Sequence, residues 1–124
     1  METTSSSPHA PPRVHRFADL PTDSPMPLLE RQRVIGSQAM ISRIVLRKGC
    51  LVPVHQHENE QFSAILSGTL RFTFGPGGTP PIDVNAGEVL HLPANCPHGA
   101  EALEDTVVLD IFSPPSATTG IDRK

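Results

Sequence analysis

Hydrophobic positions along this chain come in short clusters, and turn residues separate them at close intervals. Apolar segments occupy residues 33–35, 39–46, 62–66, 69–74, 82–84, 89–92 and 106–112. Between them lie Gly36, Lys48 with Gly49, Ser67 with Gly68, the run Gly75, Pro76, Gly77, Gly78, then Asn85 to Gly87 and Pro93 to Asn95. Leu70, Phe72 and Phe74 alternate with Arg71 and Thr73; Phe62, Ala64 and Leu66 alternate with Ser63 and Ser67, Ile65 being the exception. A period of two is that of a strand with one buried face. No helical period of useful length and no internal repeat interrupts it, so the pattern predicts an all-β sandwich or barrel.

Before Leu28 the texture differs. Six of the 14 prolines fall there, and residues 1–12 are poor in core formers. These features predict a flexible tail leading into an extended arm. The predicted organisation is an arm over 1–27, a barrel over 28–116 and a short tail over 117–124.

Composition narrows the class further. With 124 residues, 37% hydrophobic and 19% charged, the chain reads as one globular domain. No apolar run reaches membrane-spanning length and the N-terminus lacks a signal-peptide pattern, so the expectation is a cytoplasmic protein with no membrane partner. The net charge of −3, without a basic run, Trp or Tyr, argues against a nucleic-acid partner, because phosphate binding needs a concentrated cationic face. Cys50 and Cys96 are too far apart for a zinc knuckle or a CxxC pair, and read as free thiols in a reducing compartment.

The candidate chemistry begins at His55 and His57. Two histidines at i and i+2 on a strand point the same way, and Gln61 shares their parity. Glu58 and Glu60 have the opposite parity and are expected to face away, as is Gln56. A second segment runs from Gly87 through Pro93 and Asn95 to His98. Together these resemble the two cupin motifs, G-x5-H-x-H-x3-E-x6-G and G-x5-P-x-G-x2-H. Gly49, His55, His57, Gly68, Gly87, Pro93 and His98 fall on the motif positions, with Gln61 in place of Glu and Asn95 in place of Gly. Asn tolerates positive φ, so the turn before His98 is expected to survive.

The resemblance implies a double-stranded β-helix, or jelly-roll barrel, holding one divalent metal ion through His55, His57, Gln61 and His98. Imidazole ligands suit nickel, zinc, iron and manganese alike. Three neutral imidazoles and a neutral amide leave the ion its full charge, which favours polarising a substrate oxygen.

Val107 to Phe112 is apolar on both faces except for Asp110, which shares a face with Val108 and Phe112. One face is expected to line a pocket and the other to pack on a second sheet or a second subunit, giving a homodimer. Asp110, Phe112, Ser113 and Pro114 together with Gln61 resemble the KdgF-like cupins, which open or linearise unsaturated uronate sugars. By that resemblance the Asp110 carboxyl moves protons and Phe112 contacts substrate. The Arg those cupins carry four residues beyond the Phe is Ser116 here, so Arg71 or Arg123 would have to replace it. His91 reads either as a pocket residue or as a structural strand histidine. Cys96 reads as a buried inert thiol.

Three functions follow as expectations. The first is a metal-dependent enzyme that isomerises, ring-opens, cyclises or eliminates on an oxygenated small molecule, a sugar acid among the candidates. The second is a metal-dependent dioxygenase. The third is a non-catalytic small-molecule binding cupin.

Overall fold

The computed structural model describes residues 8–116. It holds nine strands: β1 (Leu29–Ile35), β2 (Met40–Leu46), β3 (Leu51–His55), β4 (Glu60–Ser67), β5 (Thr69–Phe74), β6 (Ile82–Asn85), β7 (Val89–Leu92), β8 (His98–Ala102) and β9 (Thr106–Ser113). A five-stranded sheet runs β1-β2-β9-β4-β7 and a four-stranded sheet runs β3-β8-β5-β6. All pairings are antiparallel. This is the expected jelly roll. Leu29, Ile44, Leu46, Ile65, Leu70, Phe72, Leu92 and Val108 fill the space between the sheets. Each such side chain contributes roughly 1.5–3 kcal/mol through removal from water.

The inward face of β4 differs from the one its alternation suggested. Gln61, Ser63 and Ile65 are buried, whereas Phe62 and Leu66 are exposed. The reason lies in β9 and β7 beside it. Phe62 pairs with Ile111 and His91, and Ala64 with Leu109 and Val89, so the outer face of this sheet is itself apolar. Alternation marks a strand but does not say which face is inside when both faces are apolar.

β3 and β8 were absent from the apolar segments. The β8 sequence, His-Gly-Ala-Glu-Ala, is poor in strand formers, yet it is paired on both sides, by β3 and by β5. Gly99 permits that pairing to be close: a Cβ there would stand 2.7 Å from the Val52 carbonyl oxygen.

Part of the N-terminal arm is laid along β1, the edge of the larger sheet. Gln32 Nε2 donates to the Phe17 carbonyl at 2.5 Å, and Asp23 exchanges backbone hydrogen bonds with Arg31 at 3.0 and 2.8 Å. The buried Arg31 guanidinium forks onto the Asp23 carboxylate at 3.1 and 2.6 Å, and holds that carboxyl below its ordinary range. A bridged and charged edge is protected from pairing with another chain. Residues 1–7 and the tail 117–124, including Arg123, lie outside the described residues. Among the described residues no helix is long and apolar enough to cross a membrane.

Candidate metal centre

His55 ends β3, His98 opens β8, and the two residues face each other in the ladder. His57 does not sit on the same strand as His55. The chain leaves β3 at His55, turns through 56–59 and enters β4 at Glu60, so i, i+2 alternation is not what brings His57 in. The turn does so instead. Asn95 N–H donates to the His57 carbonyl at 2.8 Å, and the buried Asn59 donates through Nδ2 to the Pro114 carbonyl. Asn95 adopts φ 64, the left-handed conformation its place in the second motif demands.

The three imidazoles meet. One ligating nitrogen of each lies within 4.8 Å of the others. Every ring is oriented by its other nitrogen: Nδ1 of His55, His57 and His98 lies 2.8, 3.0 and 2.9 Å from the carbonyls of Pro53, Asn59 and Cys96. A carbonyl only accepts, so each Nδ1 carries the proton, and Nε2 of the neutral ring is a lone pair. Burial, chiefly, pushes His98 down to about 4, which keeps that lone pair free.

Gln61 joins the cluster from the facing sheet. Its Oε1 lies 3.1 Å from His57 Nε2. Two acceptors pointed at each other repel unless a cation stands between them, so this donor set fits a divalent ion and leaves an uncompensated lone-pair array without one. Gln61 Nε2 turns away and donates to Ser63 Oγ at 2.9 Å, and Ser63 Oγ donates to Asp110 Oδ1 at 2.6 Å. Ser63 and Asp110 are directly opposed on β4 and β9, and all three residues are buried.

Asp110 lines the same cavity as His55, Gln61, His98 and Phe112, and beyond them the walls are apolar. Burial raises its carboxyl to about 6, against the lowering effect of the Ser63 and Gln61 hydrogen bonds. The Phe112 ring packs edge-on to His57, with centroids 5.7 Å apart. Ser42 opposes Asp110 from β2 on the other side, and its buried hydroxyl has no hydrogen-bond partner among the described residues. Neither serine was anticipated from the sequence, although Ser63 stands two residues from Gln61, at the parity that would have placed it there.

Other candidates fall outside. Glu58 and Gln56 are exposed. His91 is no pocket residue of the metal centre: it stacks on Phe62 on the outer face and contacts the Glu60 carboxylate at 2.6 Å. Arg71 cannot take the place of the Arg missing at Ser116, because it points outward and is paired with Asp83 at 2.8 and 3.1 Å. Among the described residues, no Lys or Arg lines the cavity.

Residues 42–112 match the cupin domain family. A stretch of 87 residues is 31% identical to nitrosourea synthase of Streptomyces achromogenes subsp. streptozoticus, covering 70% of this chain and 18% of that protein. The chain thus spans less than a fifth of the length of this curated relative. Among solved structures, an RmlC-like cupin from Shewanella frigidimarina superposes with a TM-score of 0.77 at 21% identity, over 86% of this chain and 95% of the other. KdgF from Halomonas sp. superposes with a TM-score of 0.72 at 24% identity, over 80% and 92% of the two chains.

Proposed function

The chain belongs to the cupin family, and on that premise we propose that it is a metal-dependent enzyme that isomerises, ring-opens, cyclises or eliminates on a small oxygenated substrate. The observation that carries this reading is the buried Asp110 carboxyl, which lines the cavity into which His55, Gln61 and His98 also project. His55, His57, Gln61 and His98 would hold one divalent ion, whose chemistry when bound is to polarise a substrate oxygen.

The protein's own contribution is proton handling. Asp110 sits at about 6, so it can hold or release a proton near neutral pH. Ser63 donates to its Oδ1 and Gln61 also hydrogen-bonds it, which holds the carboxyl in the cavity wall. Phe112 and the apolar walls exclude water from the reacting carbon. A uronate remains the natural probe, given the likeness to KdgF; among the described residues no cation lines the cavity to pair its carboxylate. The apolar outer face of the five-stranded sheet, with Phe62, Ile111 and Val89 exposed, supports a homodimer. The free Cys50 and Cys96 are consistent with a cytoplasmic setting.

The test uses metal-loaded protein and an unsaturated monouronate, followed by loss of the ultraviolet absorbance of its conjugated C=C. Asp110→Asn is expected to keep its metal content and lose turnover at least about 100-fold. Normal turnover by metal-loaded Asp110→Asn would sink the mechanism. A second reading, metal-dependent oxygenation, is favoured by the nitrosourea synthase likeness, since an N-nitroso group contains oxidised nitrogen. Substrate-dependent oxygen uptake separates the two, because an isomerisation or elimination consumes none.

A further inference from the structure

We propose that Ser63 is a positioning residue for metal binding: it sets the direction in which the Gln61 amide points. This rests on the reading of Gln61 as a ligand. Ser63 is fully buried on the inner face of β4, two residues from Gln61 and directly across from Asp110. A hydroxyl has one proton to give. At 2.6 Å Asp110 Oδ1 takes it. The remaining lone pairs of Ser63 Oγ then face Gln61, and the amide group they attract at 2.9 Å is the N–H side.

With Nε2 committed to Ser63, Oε1 is turned to the opposite side, 3.1 Å from His57 Nε2. Rotating the amide by half a turn would set Oε1 against the acceptors of Ser63 and Asp110, and aim two N–H groups at the ion. Asp110, Ser63 and Gln61 therefore form a one-way hydrogen-bond chain that ends with an oxygen lone pair at the imidazole cluster. A glutamine without that chain has two amide orientations and a freely turning side chain to order on binding. Ser63, with Asp110 behind it, makes the choice in advance.

The test is Zn²⁺ affinity of the full-length protein by chelator competition, read beside thermal stability in excess chelator. Ser63→Ala is expected to weaken Zn²⁺ binding about 10- to 100-fold, the usual cost of losing a group that orients a ligand. Ser63→Cys, close in size and a weaker partner, gives an intermediate loss and guards against a folding defect in the first variant. The discriminating measurement is the same change made in a Gln61→Glu background. A carboxylate has no N–H to offer Ser63 and no wrong way round, so there Ser63→Ala shifts affinity by no more than about twofold. A purely structural role would instead lower thermal stability and leave both affinities unmoved. If Gln61→Ala weakens Zn²⁺ binding but Ser63→Ala does not, the positioning role is overturned and the ligand set stands. If Gln61→Ala leaves affinity unchanged, the ligand reading falls and this inference with it.

Discussion

The two sheets supply the metal centre by different means. β3, β8 and the turn after β3 bring three imidazoles, and each ring is oriented by a main-chain carbonyl. β4 and β9 bring Gln61 and Asp110, which hydrogen-bond each other and share the Ser63 side-chain hydroxyl. A carbonyl is present whatever residue stands at position 53, 59 or 96. A hydroxyl at 63 is present only while that residue is Ser or Thr. The histidine half of the site is therefore protected against substitution of its supports, and the amide–carboxylate half is not.

The largest effect that can break this contrast is loss of an imidazole. His98→Ala is expected to lower Zn²⁺ affinity by more than about 100-fold in chelator competition, beyond any change to a supporting group. A loss no greater than that of Ser63→Ala would mean the two halves hold the ion equally.

The next effect reads the halves through proton linkage in the metal-free protein. Burial raises Asp110 to about 6 from 3.8, so its folded-state stabilisation is complete below the unfolded value and disappears as pH rises through about 6. His98, lowered from 6.5 to about 4, runs the other way: its contribution is present above the unfolded value and is lost as pH falls through about 4. Over that shared window the two oppose, and the wild-type urea midpoint is expected to vary little. Asp110→Asn removes one side of the balance, so its stability should climb with pH by roughly 2–3 kcal/mol relative to wild type. Parallel curves for the two proteins would show that Asp110 does not titrate in this range.

The smallest effect is the sharpest for the contrast itself. Cys96→Ser replaces the side chain beside a supporting carbonyl and leaves the carbonyl in place. Zn²⁺ affinity should stay within about twofold of wild type. A tenfold loss would show that the residue type at 96 matters to His98 after all.

What the sequence disclosed follows the same division. The motif spacing identified His55, His57, Gln61 and His98, because glycines and Pro93 punctuate both segments at fixed intervals; the structure brings all four together. Strand parity put Asp110 and Phe112 on one face, the KdgF-like resemblance singled them out for function, and both reach the cavity. The route by which His57 arrives was not legible, since a two-residue offset looks the same on a strand and across a turn. On β4 the alternation of Phe62 and Leu66 competes with the parity of Gln61, and the structure follows Gln61, whose inner face also carries Ser63. Local hydrophobicity cannot report that a polar pair is buried against a partner strand distant in sequence. Ser42 and Ser63 were hidden for that reason. Each opposes Asp110 only through the sheet register.

The backbone bond from Asn95 to the His57 carbonyl ties the turn of one motif to a candidate ligand of the other. It works as a mechanical linkage. A distortion at Asn95, such as a β-branched residue that resists φ 64, is carried along that bond to a ring it does not touch. His98 follows three residues later, where β8 begins, so the chain from Asn95 leads directly into it. Two of the four candidate ligands therefore depend on the conformation of Asn95, His57 through a hydrogen bond and His98 through the chain itself.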